Sequence, residues 1–161
     1  MNVERALIQI EKGMFASGDQ PGVIEACDVE RTSRPIRSVV AEMSKSDVSE
    51  LIFDLPLYRQ EDFPGELLIS LYGFLRYFQK EDMSLELGFI LIVLDLQPPA
   101  EGALGPGEGK PLVIDSLDLA VRMAVVAFFE CISSVPEIDS DFILEKSDLD
   151  RILLQWRHSM Y

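Results

Sequence analysis

The sequence predicts an α+β fold: a single compact domain over residues 1–161, with a small antiparallel or mixed sheet packed against three to five helices. Three observations predict it. Residues 66–78 (ELLISLYGFLRYF) are apolar on nearly every side of a helix, which marks a buried helix. Residues 85–96 (LELGFILIVLDL) contain the unbroken apolar run 89–94, rich in β-branched side chains, which reads as a buried strand. Residues 23–31 (VIEACDVER) alternate as a strand does, although neither face is cleanly apolar. The first two segments flank the charged turn 80–82 and form the apolar centre of the chain. At 161 residues, 48% hydrophobic and 26% charged, the chain is long enough to build one core around them.

The remaining elements follow in order. Val3, Ala6, Leu7, Ile10 and Met14 recur at helical spacing, with a short strand over 7–10 as the competing reading. Residues 16–22 (ASGDQPG) make a turn. After Pro35, residues 38–43 open a helix. Ser44 followed by Asp47 matches a capping box. Val48, Leu51, Ile52 and Leu55 then form an amphipathic stripe that Pro56 ends. Pro64 sits where the first turn of the central helix tolerates it, and Glu66 adds negative charge at that helix's positive end. Gly73 lies mid-helix, where glycine is costly, and is expected to permit the close approach of a neighbour.

Residues 98–111 (PPAEGALGPGEGKP) are Pro or Gly at eight of fourteen positions, so this stretch is expected to be a flexible surface loop. Residues 112–114 read as a short strand. Residues 116–132 read either way. A helix presents Leu117, Ala120, Val121, Ala124, Val125 and Phe128 on one face, whereas a strand pattern fails at Phe128 and Phe129; the three alanines favour helix. Ser147 with Asp150 matches a second capping box before the stripe Leu149, Ile152, Leu153, Trp156 and Met160.

The formal net charge is −14. Residues 1–60 carry 7 Lys+Arg against 10 Asp+Glu, and residues 61–161 carry 7 against 18. Direct nucleic-acid binding and anionic membrane surfaces are both disfavoured by that balance, because each needs clustered cations. Basic proteins are the complementary partners. No apolar run reaches membrane-spanning length, and Glu4 and Arg5 interrupt the position of a signal peptide, so a cytoplasmic location is expected. Cys27 and Cys131 are expected to be free and buried.

Catalytic patterns are absent. The glycines before Lys110 do not make a phosphate loop, because Pro111 follows the lysine and Leu104 stands five residues before Gly109. His158 has no triad around it, and one histidine with two distant cysteines does not make a metal site. No enzyme, no cofactor and no metal are therefore expected. The residues that remain are candidates for protein contact. Arg31, Arg34, Pro35 and Arg37 belong to the one cationic concentration; Pro98, Pro99 and Leu104 lie on the loop; Trp156 reads as an interface anchor or as a core side chain.

Residues 29–43 (VERTSRPIRSVVAEM) resemble the segment of vesiculovirus-type rhabdovirus matrix proteins in which a long strand ends in an Arg-Pro-aromatic-Arg turn before an amphipathic helix. Arg34, Pro35 and Arg37 match the turn, with Ile36 in the aromatic's place. A helix, a linker with Tyr58 and an apolar helix beginning near Pro64 follow in the same order, so the resemblance spans roughly residues 29–78. It implies a viral structural protein that self-associates and links nucleocapsid to envelope during budding, with a homo-oligomeric and nucleoprotein-binding habit. It also implies a twisted antiparallel sheet, with residues 85–96 and 116–132 as strands. The chain departs from that family in lacking a basic N-terminal arm and a Pro-Pro-x-Tyr motif, since Ala100 and Glu101 follow Pro98 and Pro99. Membrane contact is expected only if the resemblance holds. The competing expectation, from composition alone, is a small acidic binding protein of the secretion-chaperone or immunity-protein kind, shielding a basic or aggregation-prone partner.

Overall fold

The computed structural model describes residues 2–17, 36–58, 62–95, 117–135 and 146–160. These residues form seven α-helices and a 3-10 turn, and no strand occurs among them. The helices are α1 (Val3–Ser17), α2 (Ile36–Glu42), α3 (Lys45–Asp54), α4 (Phe63–Tyr77), α5 (Ser84–Leu94), α6 (Leu119–Ser133) and α7 (Lys146–His158), with the 3-10 turn at Leu55–Leu57. The α+β expectation is therefore corrected to an all-helical arrangement. The expected strands at 23–31 and 112–114, and the loop 98–111, lie outside the described residues.

The correction rests on α5. Leu87, Ile90, Leu91 and Leu94 are buried at i, i+3, i+4 and i+7, which is one face of a helix. Leu85, Gly88, Phe89 and Ile92 repeat the same spacing on the opposite face. Because both faces are apolar, the 3.6-residue period is invisible in the sequence and the run imitates a strand. The length was the available signal, since twelve residues exceed the usual four to eight of a buried strand. The matrix resemblance also implied a strand over 116–132; that segment holds α6, as its alanines favour.

α4 is the axis. Every residue from Glu66 to Leu75 is buried, as expected for a helix that is apolar all round. α1, α2, α3 and α6 all lie against it, while α5 packs on α3 and α7, and α7 on α6. The rings of Phe74 and Phe128 meet edge to face at 5.5 Å between α4 and α6. Glycines set two close approaches. A Cβ on Gly73 would stand 2.9 Å and 3.0 Å from the two γ-carbons of Val48, so α3 lies against α4 at a separation that only glycine permits. A Cβ on Gly13 would stand 3.3 Å from the Ala120 carbonyl oxygen, where α1 meets α6.

Side chains close the start of α3 and the end of α5. The Ser44 hydroxyl accepts from the Asp47 amide at 3.1 Å and the Asp47 carboxylate accepts from the Ser44 amide at 2.9 Å, so the expected capping box is present. At the second expected box, Ser147 stands inside α7 (Lys146–His158) and not ahead of it. The end of α5 is closed by α7. Trp156 Nε1 donates to the Leu94 carbonyl at 2.7 Å, satisfying one acceptor that a helix C-terminus leaves open. One turn earlier on α7, the Arg151 guanidinium donates to both Asp95 carboxylate oxygens, at 3.1 Å and 2.9 Å.

Candidate functional site

The outer face of α5 is the feature that the fold leaves unexplained. α3 and α5 run in the same direction. Lys45 and Ser49 sit beside Glu86, and one turn on the Phe53 ring meets Phe89 edge to face at 5.4 Å. This pairing spends one flank of α5 on α3 and its inner face on the core. What remains outward is Leu85, 70% exposed, Ile92, 71% exposed, the open edge of Phe89, and Gly88 between them. Leu57, 81% exposed, lies in the 3-10 turn that follows α3. Large aliphatic side chains at these exposures, in one row, are the kind of contiguous patch that marks a contact surface.

Carboxylates border this row. Glu50 is exposed and Asp54 half-buried on the α3 flank, next to Phe53 and Leu57 along the helix. Glu81 and Asp82 are exposed in the turn that leads into α5, after Lys80. Asp82 is committed locally: Ser84 donates to it from its amide at 3.0 Å and from its hydroxyl, which holds the carboxyl below its ordinary pKa.

Glu86 anchors the face from beneath. It is 4% exposed, and its Oε1 accepts from the Ser49 hydroxyl at 2.7 Å and the Lys45 ammonium at 3.1 Å. Burial works to raise its pKa, but the Ser49 hydroxyl, the backbone amide and Lys45 together outweigh burial and hold it below the ordinary carboxylate value. A carboxyl with a depressed folded-state pKa contributes stability that is present above its unfolded pKa and lost as pH falls through the folded one. Stability is therefore expected to fall on acidification below pH ~4. Glu86→Gln should cost about 1–3 kcal/mol at neutral pH and flatten that acid limb, measured by urea unfolding at both pH values. A variant with the wild-type acid limb would show that other carboxylates govern it.

Of the residues singled out in the sequence for protein contact, Arg37 and Trp156 lie among the described residues, on different helices. Arg31, Arg34, Pro35, Pro98, Pro99 and Leu104 lie outside the described residues. Arg37 stands on α2 and pairs with Glu11 of α1 at 3.1 Å. The Tyr72 hydroxyl, which also donates to Glu11 at 3.4 Å, and the Glu11 carboxylate push the Arg37 pKa further up. Trp156 is fully buried, so its role is core packing and α5 closure, which corrects the anchor reading. Cys131 is a free, buried thiol whose pKa burial pushes up; Cys27 lies outside the described residues. His158 is exposed in the last turn of α7.

The sequence conceals the α5 row because the residues that form it imitate a strand. Taken as a helix, 85, 88, 89 and 92 would have given the outward stripe at once.

Among the described residues no group of three or more His, Cys, Asp or Glu side chains is placed to hold a metal ion, and no helix is long and apolar enough to cross a membrane. Comparison with protein-family models, with curated proteins and with solved structures gives no match.

Proposed function

We propose that this chain is a non-enzymatic protein-binding module, a small acidic protein of the cytoplasm that shields an apolar, basic segment of another protein. The observation that carries the reading is the outward row Leu85, Gly88, Phe89 and Ile92 on α5, bordered by carboxylates. The buried hydroxyls support it, since they serve packing. Ser49 donates to Glu86 and to the Lys45 carbonyl, and Ser70 donates to the Glu66 carbonyl one turn back. The matrix-type assembly reading has less support. It came with a sheet, and helices α5 and α6 stand where that sheet required strands.

The test uses a neutral apolar dye. Wild-type protein should enhance Nile red emission, and Leu85→Gln combined with Ile92→Gln should remove most of that enhancement. The unfolding free energy should stay within about 0.5 kcal/mol per site, because the replaced side chains are already in water. Equal dye binding by wild type and the double variant would reject this face as the working surface.

A further inference from the structure

Resting on that reading, we infer that the occupant of the α5 face is an amphipathic helix of a partner protein, with an apolar ridge and Lys or Arg on its flanks, seated closely over Gly88. Three observations select this occupant. The first is the shape of the row: positions 85, 88, 89 and 92 span about two helical turns, and a partner helix presents the same periodicity in return. An extended peptide has no ladder to join here, because the backbone groups of α5 are spent within the helix.

The second is Gly88 itself. Glycine inside a helix is destabilising relative to alanine, so its presence wants a reason. For Gly73 the reason is Val48, and for Gly13 it is Ala120 and Ala124. A Cβ on Gly88 would meet nothing within 4 Å. Among the described residues no neighbour needs the missing side chain, yet it opens a notch between Leu85 and Ile92 on the exposed face. A notch flanked by two large aliphatic side chains is a seat for the ridge of an approaching helix.

The third is charge. Glu50, Asp54, Glu81 and Asp82 border the row on a chain of net charge −14, and neither Glu50 nor Asp54 pairs with a cation among the described residues. A second copy of this chain would bring the same carboxylates against one another. A helix with cationic flanks would neutralise them, with the steering and salt sensitivity such pairing brings.

The experiment uses the full chain and a synthetic Leu/Ala/Lys amphipathic peptide of about 18 residues, about five helical turns, together with its counterpart carrying Glu for Lys. Binding is read by fluorescence anisotropy. The Lys peptide should bind at least about tenfold more tightly than the Glu peptide, and raising salt from about 0.05 M to about 0.5 M should weaken it. Gly88→Leu should reduce binding about tenfold or more while the protein stays folded by circular dichroism, because it fills the notch and adds apolar surface at once. Equal binding of the two peptides, or full binding by Gly88→Leu, overturns the inference; if Nile red is still lost on Leu85→Gln with Ile92→Gln, the face survives and only the occupant is wrong. A concentration-dependent dimer abolished by Ile92→Gln makes a second copy the occupant and overturns it as well. Failure of both dye and peptide rejects face and occupant together.

Discussion

Trp156→Ala lowers the unfolding free energy by about 3–5 kcal/mol, the range for truncating a buried aromatic side chain. Trp156 is fully buried among the core residues, and the indole fills space that alanine leaves empty. Its N–H is also the donor to the Leu94 carbonyl at 2.7 Å. Trp156→Phe separates the two contributions. It keeps most of the volume and removes the donor, so it should cost about 1–3 kcal/mol for an acceptor left unpaired at the end of α5. The chain has one tryptophan, so tryptophan fluorescence is lost in both variants and unfolding is followed by far-ultraviolet circular dichroism in urea. A loss below about 1 kcal/mol for Trp156→Ala would mean that α7 contributes little to the core, contrary to its burial.

Gly73→Leu should be nearly as damaging, at about 3 kcal/mol, the upper end of the cost of overpacking. The first added carbon alone would stand 2.9 Å and 3.0 Å from the two γ-carbons of Val48, and the rest of the leucine has nowhere to go between α3 and α4. Val48 cannot turn aside. A β-branched residue in a helix has essentially one χ1 rotamer, and rotating it would move one methyl away only by bringing other atoms in. Gly73→Ala tests the same contact more gently. Alanine gains about 1 kcal/mol of helix propensity against an overpacking cost of about 1–3 kcal/mol. The pair is best read as a double-mutant cycle. In a Val48→Ala background the steric cost disappears and Gly73→Ala becomes stabilising, with a coupling of about 1–2 kcal/mol between the sites. Additive losses would show that the separation of α3 and α4 is set elsewhere.

How much of this was legible in the sequence depended on whether an element has two unlike faces. The stripe Val48, Leu51, Ile52 and Leu55 is buried as its spacing required, and the capping box that starts it was readable from Ser44 and Asp47. Leu149, Ile152, Leu153 and Trp156 are likewise buried along α7. α4, apolar all round, was readable as a buried helix, and Gly73 as a point of close approach. α5 was not readable, because its outward residues are as apolar as its inward ones. The same property that hid the helix makes it the candidate site: an exposed stripe of Leu, Phe and Ile obscures the period and has no packing partner on its outward side among the described residues. The arginine turn drew attention because charge is conspicuous in a sequence, but Arg37, its described member, is engaged with Glu11.

The closure of α5 by α7 also has a consequence for synthesis on the ribosome. The indole that donates to Leu94 is 62 residues further along the chain. At about 5–20 residues per second, α5 waits about 3–12 s after it is made before its end can be closed. During that interval the end of α5 that α7 will close and the outer row that no described residue covers are both in water, on a nascent chain. A partner helix, or a chaperone with a similar apolar ridge, would meet its largest target on α5 at that moment, so the birth of this protein and its recognition converge on the same eleven-residue helix.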